Sequence, residues 1–446
     1  MERRAVLVSI VVCLSAGRLS AVQARDTARV VTGDSSRLAR DTLKAAQDSL
    51  PSDLSDITPG KGVSVARTDI GTLSISGYGL ARYLNQLPAS QTYVDHLGRL
   101  HEVDPRQDIQ WHRVMVHFMG WMYMPKLRYV MTVWTVNSTE QIRIVGSLTY
   151  AFSNAFNLSA GINGIPGTRS LNGSHPFWLA NDRFMADEYF RPGFTSGAWI
   201  TGTLARGRFN YAAMLGNNIS QLGVAANELT RNLAFGTSVW WQPTTGEFGP
   251  RGGWGDYEWH RKVAVRVGTS YTRSREDRAS QLSQPGPDNT QIRISDGLLL
   301  FQQDALAIGS IVRQANYYMS AADLGLKYRG MFFQFELYNR WLNSFEVVGN
   351  DVPLTSMYDH GYYAAGSFYP IKQKLELYGG TSQIFGEFNP SWEAVFGINW
   401  FPADTRYFRL NTNIIRVHRS PVGSVFGFYL AGLHGWSLSI SPSLFF

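Results

Sequence analysis

Seven basic residues stand where a two-residue rhythm turns them to one side of an extended chain: Arg113, Arg128, Arg143, Lys262, Arg266, Lys327 and Arg409. The other parity around them is largely Val, Leu, Ile, Phe and Tyr. Cations held beside a low-dielectric wall raise the local concentration of anions. Asp323 and Glu336 share their parity, so two readings stand side by side: a net anion preference, or plain solvation of a water-facing surface with internal ion pairs. A second charged group, Arg169, His175, Arg183 and Arg191, falls in a stretch from Asn163 to Phe194 that has no rhythm and is too long for an ordinary hairpin. Asp182, Asp187 and Glu188 lie among them.

Other chemistries find little support. His112 and His117 are five apart, which on a regular strand puts them on opposite faces, and no other histidine pair has ligand spacing; no metal site is expected. Ser174 and His175 are adjacent and lack a Gly-x-Ser-x-Gly elbow, so no enzyme is expected and no cofactor is implied. The net charge of +7 is spread around alternating positions instead of clustering with exposed aromatics, which argues against nucleic acid.

The elements that must position these residues are strands. Charged residues are 17% of the chain, below the roughly 25% of soluble domains, while aromatics reach 13%. Mean hydropathy is only −0.16, and no apolar run of about 18 residues follows the N-terminus. That combination fits strands with lipid on one face and water on the other, with a large soluble β-sandwich as the competing architecture. Residues 1–24 read as a signal peptide (Arg3, Arg4, an apolar stretch, then Val22-Gln23-Ala24), and the sole cysteine, Cys13, leaves with it. Residues 25–70 read as a periplasmic arm with one short helix ended by Pro51.

From Gly71 to the carboxyl end the strand signal repeats, leaving room for about 16 strands at roughly 10 residues each plus connections. HRVMVHFMGWMYM and LRYVMTVWTV form two strands joined at Pro125-Lys126. QIRIVGSLTYAF sends Ile142, Ile144, Leu148, Tyr150 and Phe152 one way, with Arg143, Ser147 and Thr149 the other. AWITGTLARGRFNYAAML turns at Arg206-Gly207, and ADLGLKYRGMFFQFELYNRW near Arg329-Gly330. In the second hairpin Leu324, Leu326, Phe333, Phe335 and Leu337 face lipid; Asp323, Lys327, Gln334, Glu336 and Arg340 face inward. Trp121, Trp240, Trp241, Tyr317, Tyr363, Trp400, Tyr429 and Trp436 gather at segment ends, as an aromatic girdle would. The polar REDRASQLSQPGPDNTQ suits an external loop. The last strand, WSLSISPSLFF, alternates apolar and serine residues, with a bulge or loose bond expected at Pro442.

That last strand resembles the closing strand of bacterial outer-membrane β-barrels. Much of the chain from Phe156 onward resembles the phosphate-selective porin family of the O and P type. Four segments carry the likeness: RPGFTSGAWITGTLARGRFNYAAMLGNN, ADLGLKYRGMFFQFELYN, GYYAAGSFYPI and VFGINWFPADTRYFRLNTNII. The chain departs from that family in having only seven lysines, in Phe194 following Pro192-Gly193, and in Arg329-Gly330-Met331 at the hairpin turn. The resemblance implies a 16-stranded homotrimeric pore in the bacterial outer membrane whose third external loop folds inward. Arg169, His175, Arg183 and Arg191 then become constriction candidates, and the seven alternating cations pore-lining candidates. The partners implied are outer-membrane lipid and small hydrophilic solutes or anions. The expected fold is thus an all-β transmembrane antiparallel barrel with a short N-terminal arm. The expected function is passive diffusion of small hydrophilic solutes; a barrel that binds or anchors without an open channel is the alternative.

Overall fold

A computed structural model describes residues 62–136, 141–173, 175–220, 231–277, 291–423 and 429–446. The signal peptide and most of the arm therefore lie outside the described residues, as does most of the REDRASQLSQPGPDNTQ loop. The described chain begins with β1 (Val63–Thr68) and β2 (Gly71–Leu87), then a small hairpin of β3 (Gln91–Val94) and β4 (Leu100–Val103). Long strands follow: β5 (Gln107–Met122), β6 (Met124–Val136), β7 (Gln141–Ser153), β8 (Phe156–Gly164), β9 (Phe194–Leu204), β10 (Phe209–Gly216) and β11 (Ala234–Trp241). The wall continues with β12 (Ala264–Asp277), β13 (Ser310–Tyr328), β14 (Met331–Gly349), β15 (Ser356–Ile371) and β16 (Leu375–Phe385). It ends with β17 (Ser391–Trp400), β18 (Phe408–His418) and β19 (Gly435–Phe445).

Among the described residues, β2 and β5 to β19 each pair antiparallel with the next, and β19 pairs back onto β2, so sixteen strands close a cylinder. Closure removes the unpaired edges that a flat sheet would leave in lipid. Phe446 and Gly77 exchange backbone hydrogen bonds at 3.0 and 3.3 Å, finishing the seam. β1 occupies the same edge of β2 beyond that point, so residues 63–68 of the expected arm form a hairpin with the wall. Pro442 produces no bulge: β18 and β19 keep one register throughout, while the ladder to β2 has no partner pair at Ser441 and Pro442.

Alternation sorts the side chains. Ile142, Ile144, Leu148, Leu324, Phe333, Phe396 and Leu444 are exposed on the outer wall, whereas Arg266, Lys327, Glu336 and Arg340 on the opposite parity are buried. Two local readings are corrected. The β5–β6 turn is at Tyr123, with a left-handed φ of 60°, because Met122 pairs with Met124; Pro125 and Lys126 follow the turn. The aromatic girdle is made by residues such as Trp111, Tyr123, Trp241, Trp400 and Trp436, but Trp240, Tyr317, Tyr363 and Tyr429 are buried inside. They belong to an internal core that the barrel encloses.

Candidate functional site in the barrel interior

The 165–193 stretch between β8 and β9 folds into the cylinder and is buried over nearly its whole length. A turn of 3-10 helix at Arg169–Leu171 and a short helix α1 (Met185–Phe190) give it shape. Wall carboxylates and amides fasten it. The Met185 N–H donates to Glu393 Oε1 (2.6 Å), the Arg169 N–H to Glu336 Oε1 (2.8 Å), and Asn399 Nδ2 to the Leu179 carbonyl (2.9 Å). Tyr317 donates its hydroxyl hydrogen to the Phe190 carbonyl (2.7 Å). Phe184 stacks on Tyr363 at 5.1 Å and Phe190 on Tyr338 at 5.2 Å, so the loop has an aromatic anchorage as well as a polar one.

A second inward segment comes from the other end. Strand ends on the side of the carboxyl terminus are joined by short connections, from tight turns such as Arg329-Gly330, with φ of 47° and 83°, to the stretch 401–407 between β17 and β18. The exception is residues 242–263, between β11 and β12, where Phe248, Trp254 and Asp256 are buried. This segment meets the first: Trp254 N–H donates to the Phe177 carbonyl (2.7 Å), Arg251 Nε to the Gly173 carbonyl (2.8 Å). Lys327 Nζ donates to the Phe248 carbonyl (2.8 Å), and Arg406 Nη1 to Glu258 Oε1 (2.7 Å). Between the two segments is a void of about 20 Å³, room for a water, lined in part by Tyr78, Trp178, Glu376, Arg406 and Arg409.

Where the segments meet, guanidinium groups converge. Arg113 Nη1 is 3.3 Å from His175 Nε2, Arg82 pairs with Asp182, and Arg183 lies 4.5 Å over the Trp178 ring. Arg409 Nη1 donates to the Trp178 carbonyl (2.6 Å) and its other arm reaches Asn181. Burial pushes the His175 imidazole well below its usual pKa, and the charges of Arg113, Arg251 and Arg183 push it further, so it is neutral among these cations.

The predicted cations fare differently. Arg113, Arg266, Lys327 and Arg409 point inward and are buried; Arg266 Nε is held by Asp323 (3.0 Å). Arg128 and Arg143 are on the inward parity and half-buried. Lys262 is a correction: it precedes β12, is exposed, and is not on the inner wall, because the strand begins only at Ala264. Arg169, His175, Arg183 and Arg191 are all buried in the inward loop, but only His175 and Arg183 share the Arg113 cluster; Arg169 faces Gln334 and Arg191 is clamped by Glu188 (2.8 Å). His112 and His117 are both buried, not on opposite faces, because the β2–β5 register shifts beside Arg113 and reverses the parity there.

Arg82, Arg251, Trp254 and the 256–260 knot escaped the sequence reading. The Gly- and Pro-rich length of 242–263 was the available signal. Asp256, Glu258 and His260 come close enough to share a metal ion. Each is already engaged: Asp256 by His260 and the Gly330 N–H (2.7 Å), Glu258 by Arg406, and His260 Nε2 by Glu247 (2.9 Å). The two carboxylate hydrogen bonds raise the His260 pKa to about 9. Burial alone would raise Asp256, but hydrogen bonds from His260 and Gly330 hold it below its usual value.

No family model matches the chain, and no curated protein is similar to it in sequence. Solved structures are. OmpT, an outer membrane protein of Vibrio cholerae in a trimer form, aligns at 11% identity and a TM-score of 0.50, over 84% of this chain and 100% of that one. The outer membrane channel DcaP of Acinetobacter baumannii aligns at 10% and 0.48, over 86% and 100%. The anion-selective porin from Comamonas acidovorans aligns at 11% and 0.46, over 84% and 100%. With its closed sixteen-strand wall, apolar outer face and inward loop, the chain is a transmembrane antiparallel β-barrel of the porin fold.

Proposed function

We propose that this barrel is a porin for passive diffusion of small hydrophilic solutes, biased toward anions and assembled as a homotrimer. The anion bias rests on one observation: Arg82, Arg113, Arg183, Arg251 and Arg409 gather around His175 and Tyr78, with Asp182 the carboxylate in their midst. Such a group raises anion occupancy in a narrow, low-dielectric passage. Planar guanidinium forks match small oxyanions, phosphate among them, and the resemblance to the phosphate-selective family points the same way. Lys327, Arg266, Arg128 and Arg143 extend the basic lining along the wall.

A second reading is favoured by the packing. Every barrel strand contributes at least one buried inward side chain, from Arg82 on β2 to Ser441 on β19. That suits a barrel closed at rest, which binds or anchors. Single-channel recording in planar bilayers separates the two. Stepwise conductance with an anion-biased reversal potential, reduced in Arg113→Gln/Arg251→Gln, supports the porin. Silence from protein with folded-barrel electrophoretic mobility supports the closed barrel.

A further inference from the structure

The outer wall carries a groove unrelated to the interior. Across five strands, β13 to β17, one ladder row reads Leu326, Phe333, Gly366, Gly379 and Phe396, each paired with the next. The row above it in the direction away from the short turns continues the low floor with Ala364, Thr381 and Ala394. Phe333 and Phe396 stand as walls on either side, and Phe368 and Leu377 close the lower end.

Neither central glycine is required by the backbone. Neither has a left-handed φ, and across the sheet a Cβ built on Gly366 or Gly379 would meet only one backbone carbonyl oxygen, that of Phe332 at 3.3 Å or of Val395 at 3.4 Å. Glycine inside a strand weakens it, so two of them paired over open space leave an apolar trough where larger residues would fit. Strands lie about 4.8 Å apart, so a trough two strands wide matches the width of a hydrocarbon chain.

The rim below the trough is basic. Arg261 and Lys262 stand at the foot of β12, Arg329 in the β13–β14 turn, and Lys372 and Lys374 in the β15–β16 turn, all exposed. Three of the seven lysines of the chain are in this group. Lys374 is shared with Asp404 at 3.4 Å; Lys372 lies 5.5 Å over the Trp259 ring and Arg329 5.1 Å over the Tyr328 ring. Aromatic rings and cations at the interface, directly under an apolar trough in the lipid-facing wall, are complementary to one molecule with an anionic head and an acyl tail.

We infer that the groove over Gly366 and Gly379, with the basic rim of Arg261, Lys262, Arg329 and Lys372, is a binding site for an anionic glycerophospholipid. The acyl chain lies between Phe333 and Phe396, and the phosphate sits among the rim cations. The site is on the short-turn, periplasmic side.

The test is native mass spectrometry of the full barrel released from bilayers of phosphatidylcholine containing a minor share of phosphatidylglycerol. Preferential retention of phosphatidylglycerol is expected. Arg329→Glu and Lys372→Glu should each cut it roughly fivefold. Gly366→Leu/Gly379→Leu, with Gly379→Ala as the milder control, should lower retention of both lipids while folded-barrel electrophoretic mobility is kept. Equal capture of the two lipids, or retention indifferent to these variants, overturns the site. So does a loss of oligomer in the leucine variant without loss of lipid, which would mean that a second copy of the chain covers the groove.

Discussion

Arg340 and Asp359 define what a buried charge does in this molecule. Asp359 is wholly buried, and its Oδ2 accepts from Arg340 Nε (3.1 Å) and Nη2 (2.6 Å) and from the Tyr189 hydroxyl (3.3 Å). The guanidinium also donates to the carbonyls of Tyr189 (3.3 Å) and Arg293 (2.7 Å), so one side chain ties the wall to the inward loop and to the 291–309 segment. Removing one member of such a pair leaves the other desolvated and alone, which costs more than the pair contributes. Arg340→Met is therefore expected to destabilise the barrel by about 3–5 kcal/mol. Arg340→Met/Asp359→Asn, which removes both charges, should recover much of that loss. Urea unfolding in detergent micelles, followed by tryptophan fluorescence, checks the difference between the two variants.

The 242–263 segment is held at its base by a titratable knot. His260 has a carboxylate on each ring nitrogen, Asp256 and Glu247, while Glu258 and Arg406 stand close by. Its pKa is raised to about 9 from an ordinary 6.5. A group raised on folding contributes stability that is complete below its ordinary value and lost as pH rises through the folded one. Asp256 and Glu247 are lowered, so their share is lost at the acid end, as pH falls through their folded values. Tryptic cleavage at Arg251 or Arg261 should accordingly be slow near pH 6 and accelerate as pH passes about 9. His260→Gln should remove that alkaline dependence. Elements of this kind mark the limit of what could be read from the chain. The β13–β14 hairpin was legible because its two faces meet different solvents, so Leu324 and Phe333 alternate with Asp323 and Gln334, and Arg329-Gly330 supplies the turn. The register shift beside Arg113 leaves no mark in side-chain type, so the faces of His112 and His117 were misread. Trp240 and Tyr363 suit a girdle or an internal core equally well by composition. A Gly- and Pro-rich segment reads as a loop whether it hangs outside or turns in, so the direction of 242–263 was invisible.

At the scale of the whole molecule, two segments entering from opposite ends meet within one cylinder, and the bore depends on both. The 165–193 loop is anchored to the wall at Glu336, Glu393 and Asn399 and through two ring stacks. The 242–263 segment leans on fewer wall groups, chiefly Lys327, Arg406 and Gly330, and is the one that the short-turn end of the fold does not otherwise need. β11 and β12 already pair from Trp241 with Val267 up to Phe235 with Arg273, so the ladder does not rely on the intervening residues. Replacing 243–262 by a short Asn/Gly turn should leave the sixteen-strand wall closed. It would expose Lys327, Trp178 and Arg406 to water. Arg251, Arg261 and Lys262 would leave with Glu247, Asp256 and Glu258, so the net charge hardly changes while the guanidinium cluster around His175 loses Arg251. The passage widens, conductance should rise severalfold, and the reversal potential should move away from the anion limit. Planar-bilayer recording of that variant beside the intact protein checks it. Unchanged conductance from a folded variant would locate the limiting constriction in the 165–193 loop alone.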